Sequence, residues 1–128
     1  HRNSFLDSPR LLEATFRFRG REDLYFAGQL TGVEGYTESA AAGILAGRNL
    51  ARQLKGQAPL VLPKDTMLGA LAAYISDPQV KDFQPMGANM GILPPWPERI
   101  RDKSQRYLAV AQRAVESLET YLQQMDKQ

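Results

Sequence analysis

Three glycines and one amide side chain lie close together in the sequence, in the order Gly28, Gln29, Gly32 and Gly35. Glycine adopts positive φ angles readily and leaves room for another group to approach the backbone. The amide of Gln29 can both donate and accept hydrogen bonds. Such a loop before a helix N-terminus suits an anion or an electron-rich heteroatom, and the amide suits a hydroxyl group.

The elements on both sides of this loop favour the same site. Residues 24–28 (LYFAG) form a short apolar run, which is typical of a strand buried on both faces of a parallel sheet. Residues 38–54 predict a helix that ends near Gly56. Ligands of α/β folds bind at the carboxyl ends of strands, where the N-terminus of the next helix offers free N–H groups. The alternative is tight packing of helix on sheet without a ligand, and glycine spacing alone leaves both open.

The predicted helix also carries a stripe of small residues. Ser39, Gly43 and Gly47 recur every four residues, and alanines occupy positions 40–42. Each glycine lowers helix propensity by about 1 kcal/mol relative to alanine. We therefore expect another element to pack very close to this face.

The remaining chain predicts one more strand, two more helices and an irregular block. Residues 14–19 (ATFRFR) alternate apolar and polar side chains, so residues 13–29 are expected to form two strands. Helices are predicted over 66–75, capped by Asp65 or Thr66, and over 97–124, with Pro97 in the first turn. The block between Asp77 and Trp96 contains four prolines and is expected to be irregular but packed.

Composition limits the classes of function. The chain has 128 residues, 43% of them hydrophobic and 23% charged, which is typical of one globular domain. It has no cysteine, which excludes disulfides, a cysteine nucleophile and thiolate metal ligands within these residues. It also has no apolar run long enough for a transmembrane helix and no signal-peptide pattern, so we expect a cytoplasmic protein. Because the chain begins with His1 rather than Met, we expect a piece of a longer protein, and we assign His1 no metal or base role.

Longer stretches resemble a known family. The segment LYFAGQLTGVEGYTESAAAGILAGRNLAR resembles the last FAD-contacting segment of flavoproteins of the glutathione-reductase type. Together with FQPMGANMGILPP and RNSFLDSPRLL, it is similar to the C-terminal part of the folate- and FAD-dependent tRNA (uracil-5-) methyltransferases, the TrmFO family. The wider MnmG/GidA-related group shares the FAGQ…G..GY.E.AA.G pattern. Those relatives typically differ at residues 32–34 and lack the proline-rich block.

The resemblance implies an α/β fold: the C-terminal part of an FAD-binding, Rossmann-like domain, mostly helical here with a short strand pair. It implies that residues 1–58 belong to the FAD-binding domain and that residues 59–128 form a helical region packed on it. In such flavoproteins the residue after the strand-ending glycine touches the ribitol of FAD, a position that Gln29 fills. The implied cofactor-binding residues are Gly28, Gln29, Gly32, Val33, Glu34, Gly35 and Tyr36.

The resemblance also implies an activity for the intact enzyme. It would methylate C5 of a uridine in the T loop of tRNA, with carbon from methylenetetrahydrofolate, FAD as cofactor and NAD(P)H as electron source. This chain lacks both a GxGxxG motif and the family's catalytic cysteines, so we assign no catalytic residue and expect the piece alone to be inactive. The alternatives are a wobble-uridine-modifying, MnmG-like flavoprotein and a non-catalytic helical binding module.

Two groups of basic residues could contact tRNA phosphates, or could simply be solvated faces. They are Arg2, Arg10, Arg17, Arg19 and Arg21 in the first group, and Arg99, Arg101, Lys103 and Arg106 in the second.

Four further side chains have two interpretations each. Glu34 and Glu38 could act as acid or base, or could complement a helix dipole. Tyr36 could stack on a ring or cover the loop, and Trp96 could be a core anchor or a stacking platform.

Finally, an unpaired edge of the predicted strand at residues 24–27 predicts self-association.

Overall fold

The computed structural model describes residues 4–126, and these residues are mostly helical. Four α-helices follow one another along the chain: α1 (Ser8–Leu11), α2 (Tyr36–Leu54), α3 (Met67–Ser76) and α4 (Lys103–Asp126). Two short 3₁₀ helices, Gly28–Thr31 and Met90–Ile92, lie between them. Within residues 4–126, no helix combines the length and the apolar character needed to cross a bilayer.

The predicted pair of strands is wrong. In the described part of the chain, strand-like pairing is limited to three isolated bridges: Leu12–Phe18, Arg17–Tyr25 and Val33–Met86. The physical reason lies at Phe16, which has a φ of 70° and whose N–H donates to Glu13 O across a turn (2.9 Å). A left-handed residue cannot continue an extended strand. The turn places the Phe16 ring in the core, where it is fully buried.

Helices α2 and α3 confirm the two helices that the spacing of apolar residues predicted. Helix α2 starts two residues before the predicted position, and α3 matches the prediction within one residue at each end. Their buried faces meet in a single core, which also includes Leu12, Phe16, Val33 and Leu60. Since this core joins residues on both sides of residue 58, the first half of the chain and helix α3 are packed as one unit.

Helix α4 begins at Lys103 and not at Pro97 as predicted. The carboxylate of Asp102 accepts from Ser104 N–H (3.3 Å), and the Asp102 carbonyl accepts from Arg106 N–H (2.9 Å). Asp is a preferred residue at helix N-termini for this reason. The helix therefore starts where a side chain can satisfy its first N–H groups.

Helix α4 packs against the core through the partly buried Tyr121 and Met125. A few polar side chains also hold it, and none of its described residues is fully buried. Tyr121 OH accepts from Val61 N–H (2.8 Å), and Ser117 Oγ donates to Asp65 Oδ2 (2.6 Å). The guanidinium of Arg113 lies 5.1 Å from the Trp96 ring centroid and donates to Pro94 O (2.9 Å). Trp96 is half-buried with Arg113 over one face of its ring, and it does not belong to the buried core.

Within residues 4–126, the element expected to pack closely against the stripe of small residues on α2 is not found at Gly43 and Gly47. A Cβ atom added at Gly43 or Gly47 would find no heavy atom within 4 Å in the structure. Ile44, on the same outward face, is 62% exposed. This side of α2 is therefore open within residues 4–126.

Candidate functional site

The glycines of the loop that leads into α2 adopt the positive φ angles that the sequence predicted. Gly28, Gly32 and Gly35 have φ angles of 75°, 91° and 109°. Gly28 starts the first 3₁₀ helix, Gly32 ends it and Gly35 immediately precedes α2. Residues with a Cβ atom rarely adopt such angles, so the path of the loop requires glycine at these positions.

The proline-rich block packs directly against this loop. Met86 N–H donates to Gly32 O (2.8 Å), and Glu34 N–H donates to Met86 O (3.0 Å). The ring of Phe83 lies so close to Gly32 that an added Cβ atom would collide with it. Two motifs that are about fifty residues apart in sequence therefore form one structural unit. Sequence reasoning missed this contact, because nothing in the local pattern of either motif indicates the other.

The side chains of the loop divide into a buried set and an exposed set. Val33 is fully buried in the core, so only its backbone can face a ligand. Gln29 and Glu34 are exposed, and neither side chain has a hydrogen-bond partner within the described residues. Tyr36 is 98% exposed, so it does not cover the loop.

The N-terminus of α2 offers unused hydrogen-bond donors. No side chain of residues 4–126 caps this end, and the first bond into the helix runs from Ser39 N–H to Gly35 O (2.9 Å). Among residues 4–126 the N–H groups of Tyr36, Thr37 and Glu38 have no acceptor. Together with the positive end of the helix dipole, these donors suit an anion or an electron-rich ring edge.

Glu38 bends back over this helix end. Its carboxylate accepts from Ala88 N–H (3.1 Å) and lies 2.6 Å from where a Cβ atom of Gly35 would be. The contact supports the helix-dipole interpretation of Glu38 and adds a second tie between α2 and the proline-rich block.

Sequence reasoning missed a buried polar connection beneath the loop. Ser8 Oγ donates to Thr31 O (2.7 Å), and Thr31 Oγ1 donates to Gly28 O (2.7 Å). Both side chains are fully buried. A Ser-Pro pair after Asp7 is a typical start of a short helix, and this signal could have located α1 and its contact with the loop.

Asn49 is a second missed residue. It is fully buried on α2, donates to Thr15 O (3.2 Å) and Leu60 O (3.0 Å), and accepts from Leu60 N–H (2.7 Å). A single amide thus satisfies three backbone groups of two segments that have no regular structure of their own. The sequence signal that could have identified Asn49 is a polar residue four positions after Leu45 on an otherwise apolar helix face.

The two basic groups differ in their partners. In the first group, Arg10, Arg17 and Arg21 form ion pairs with Asp7 (3.0 Å), Glu13 (2.6 Å) and Asp23 (2.9 Å), respectively. Arg19 donates to Ser76 O (2.8 Å). The hydrogen bond from Arg21 holds the pKa of Asp23 below its usual value, and the bond to Glu13 raises the pKa of Arg17. Arg2 and His1 lie outside the described residues.

Within the described part of the chain, the second basic group has no such neutralising partners. The cations of Arg99, Arg101, Lys103 and Arg106 form no ion pair with any carboxylate within residues 4–126.

A cleft of about 780 Å³ lies beside α3 and is lined by Val61, Leu62, Lys64 and residues 91–94, among others. Its walls are mostly apolar, with Lys64, Tyr74, Ser76 and Asp77 as polar residues. Within residues 4–126, no group of three histidine, cysteine or acidic residues is placed to hold a metal ion.

Comparison with known proteins supports the resemblance seen in the sequence. Residues 1–58 match the family model described as glucose inhibited division protein A (GIDA). The methylenetetrahydrofolate–tRNA-(uracil-5-)-methyltransferase TrmFO of Enterococcus faecalis is 54% identical over 126 residues, which are 98% of this chain and 29% of the relative. TrmFO of Halalkalibacterium halodurans is 52% identical over 125 residues, again 98% of this chain and 29% of the relative. TrmFO of Lactiplantibacillus plantarum is 54% identical over 121 residues, 94% of this chain and 27% of the relative.

This chain spans less than a third of the length of each of these relatives. The resemblance to the TrmFO family that the sequence motifs indicated is confirmed: over nearly its whole length, the chain is similar to a part of the TrmFO methyltransferases, and its first 58 residues carry the GidA pattern.

Proposed function

We propose that this chain is part of an FAD-dependent tRNA methyltransferase that forms 5-methyluridine in the T loop, with methylenetetrahydrofolate as carbon donor. The observation that carries the proposal is the 54% identity to a relative whose name states methylation of tRNA at uracil C5 with methylenetetrahydrofolate. NAD(P)H is the proposed electron source. The chain by itself should be inactive, because it contains neither a cysteine nor a GxGxxG motif.

The proposed FAD site is the loop from Gly28 to Tyr36. Its support is the fit of the structure: three left-handed glycines, an exposed Gln29 amide and three N–H donors without acceptors. Gln29 would bind a ribitol hydroxyl, and the first N–H groups of α2 would face the pyrimidine edge of the flavin. When bound and reduced, FAD would carry and reduce the one-carbon unit.

The chain's own residues would tune and shape this site. Negative charge at the pyrimidine edge would be stabilised by the N–H donors and dipole of α2. The proline-rich block would fix the loop through the Gly32–Met86 and Glu34–Met86 hydrogen bonds. Tyr36 would be free to stack on a ring, because the loop leaves it almost fully exposed.

We propose that residues 1–58 belong to the C-terminal part of a Rossmann-like FAD-binding domain and that residues 59–128 form a helical region packed on it. The match to the GidA family model over residues 1–58 supports this division. The single core shared by α2 and α3 supports close packing of the two parts.

The proposed partner is tRNA, and the proposed location is the cytoplasm, where tRNA is modified. We further propose that the isolated chain self-associates through the edge of residues 24–27. The backbone N–H and C=O of Tyr25 and the N–H of Ala27 have no backbone hydrogen bond within residues 4–126, and groups of this kind pair readily with another chain.

The function is tested on the full-length gene product, incubated with tRNA that lacks 5-methyluridine, with methylenetetrahydrofolate and with NAD(P)H. The tRNA is digested to nucleosides and analysed. New 5-methyluridine in the T loop is the expected result. A modified wobble uridine would instead support the MnmG-like alternative, and a protein without flavin or product would support the helical binding module.

A further inference from the structure

We propose that the start of α4 is a contact surface for an unstacked segment of the tRNA substrate. This α4 basic surface consists of the residues Arg99, Arg101, Lys103, Arg106 and Tyr107. The inference rests on the proposed function and assigns the substrate to one of the two basic groups of the sequence.

The net charge of the chain is concentrated at this surface. Residues 97–107 hold four cations against two carboxylates, Glu98 and Asp102, which equals the net charge of +2 of the whole chain. The remaining charged residues therefore balance. One carboxylate, Asp102, also accepts from Ser104 N–H at the helix start (3.3 Å). A local excess of cations attracts polyanions although the whole chain is nearly neutral.

The other basic group is less suited to RNA. Arg10, Arg17 and Arg21 each lie within 3.0 Å of a carboxylate of their own chain. To bind phosphate, such a cation must first give up an existing partner, so its net gain is small. Arg99, Arg101 and Lys103 are exposed and have no carboxylate partner among residues 4–126, so each can take a phosphate without that loss.

Tyr107 adds a contact that a purely electrostatic surface lacks. Its side chain is 44% exposed, and Lys103 Nζ and Arg106 Cζ lie 5.5 Å and 5.7 Å from its ring centroid. The three residues lie on one face of the helix, since Arg106 and Tyr107 follow Lys103 by three and four positions. Proteins that bind unpaired nucleotides combine such an exposed ring, on which a base stacks, with adjacent cations that bind the backbone. The arrangement therefore favours a loop or an unpaired end over a regular duplex.

Binding of unmodified tRNA to the full-length gene product tests the charges. The dissociation constant is measured at several salt concentrations for the wild type and for the variant Arg99→Ala/Arg101→Ala/Lys103→Ala. We expect affinity to fall at least about tenfold and the slope of log K against log salt to flatten by about one unit for each lost phosphate contact. The matched control is Arg10→Ala/Arg21→Ala, which removes two exposed but ion-paired cations and should leave affinity and slope unchanged.

Two variants of Tyr107 test the stacking contact. Tyr107→Phe keeps the ring and should bind tRNA like the wild type, whereas Tyr107→Ala should bind about tenfold more weakly with an unchanged salt slope. Equal affinity for both variants would exclude the ring as a stacking platform and overturn this part of the proposal.

Methylation by the wild type tests the proposed function, and tRNA binding by the variants tests the α4 basic surface. A wild-type protein that forms no 5-methyluridine contradicts the function, whatever the variants do. A wild type that methylates tRNA, with a triple variant of unchanged affinity and slope, overturns the surface and leaves the function intact. If the triple variant loses its fold by circular dichroism, the single variants Arg99→Gln and Lys103→Gln give the same comparison.

Discussion

Gly32 and Gly35 both need positive φ angles, but their surroundings differ. A side chain at Gly32 would collide with the ring of Phe83, which also packs against Tyr74 with a centroid distance of 5.4 Å. The atoms nearest to a Cβ added at Gly35 belong to the end of the flexible Glu38 side chain. Changes at Gly32 therefore disturb packed aromatic rings, whereas changes at Gly35 act mainly on the loop itself.

The first prediction is that Gly35→Val lowers the FAD content of the full-length protein. A β-branched residue at a φ of 109° is strained by about 1–3 kcal/mol, so the loop should leave the conformation that presents its N–H groups. We expect FAD affinity to fall about tenfold or more. The flavin absorbance band of the purified variant, with circular dichroism to verify folding, gives the measurement.

A suitable control is Gly56→Val at the other end of α2. Gly56 has a φ of 71°, and no heavy atom of residues 4–126 lies within 4 Å of an added Cβ, so the substitution introduces similar strain away from the loop. This variant should keep its flavin. Full flavin content in Gly35→Val would show that the cofactor binds elsewhere.

The second prediction concerns Asn49. Asn49→Leu leaves Thr15 O, Leu60 O and Leu60 N–H without their partner in the core, so we expect a loss of about 3 kcal/mol in the free energy of unfolding. Urea denaturation of this chain measures the loss. Arg48→Leu, at the adjacent exposed position, is the control and should change stability by less than about 0.5 kcal/mol. Similar values for the two variants would mean that the amide is not a structural link.

A third prediction is a pH dependence from Tyr25. Its hydroxyl donates to Gln53 Oε1 (2.6 Å), and burial raises its pKa above the ordinary value of 10.0. Because the folded state favours the neutral phenol, this contribution to stability is complete below about pH 10 and is lost as pH rises through the folded pKa. The stability difference between wild type and Tyr25→Phe should therefore shrink above pH 10. A difference that stays constant to pH 11.5 would contradict the proposed role of the hydroxyl.

Among the helices, α3 shows how one side chain fixes the start of an element. Both Asp65 and Thr66 were possible caps, and the structure uses Thr66, whose Oγ1 accepts from Gly69 N–H (3.0 Å) and donates to Pro63 O (2.6 Å). The carboxylate of Asp65 is instead bound by Ser117 of α4 (2.6 Å). The two neighbouring residues thus have separate tasks, one in starting α3 and the other in docking α4.

The fourth prediction follows from this cap. Thr66→Val keeps the shape of the side chain but removes the hydroxyl, so it should destabilise the chain by about 1–2 kcal/mol, whereas Thr66→Ser should be nearly neutral. Urea denaturation of both variants distinguishes the cap from simple packing. If the valine variant were as stable as the serine variant, packing alone would determine where α3 starts.

The elements that the sequence predicted well are those determined by local spacing. Helices α2 and α3 follow from apolar residues at three- and four-residue intervals, and the positive φ angles of the loop follow from its glycines. The predicted strands failed because alternation in residues 14–19 does not reveal the left-handed Phe16. The contact of Met86 with Gly32 and Glu34 could not be predicted, since long-range pairing depends on the core that brings both segments together.

At the scale of the whole molecule, two surfaces are open within residues 4–126. One is the outer face of α2 around Gly43 and Gly47, and the other is the backbone edge of residues 24–27. Such surfaces are stable in a larger protein that covers them, whereas in an isolated chain they are available for other contacts.

The fifth prediction is that the isolated 128-residue chain self-associates. Its apparent mass in light scattering should rise with concentration, because the backbone groups at residues 24–27 can pair with a second copy. A single mass, equal to that of the monomer, at every concentration would contradict the proposal.

The last prediction concerns what the isolated chain cannot do. The loop from Gly28 to Tyr36 offers donors for the ribitol and the flavin ring, but the chain has no GxGxxG segment that would hold the FAD pyrophosphate. Much of the affinity for a dinucleotide comes from such a phosphate cradle at a helix N-terminus, so contacts to the flavin end alone should not retain the cofactor. We expect the isolated chain to show no saturable quenching of FAD fluorescence at micromolar concentrations, whereas the full-length gene product should purify with flavin bound. Tight binding by the isolated chain would mean that these residues contain a complete cofactor site, and the division of the FAD contacts proposed for this loop would be wrong.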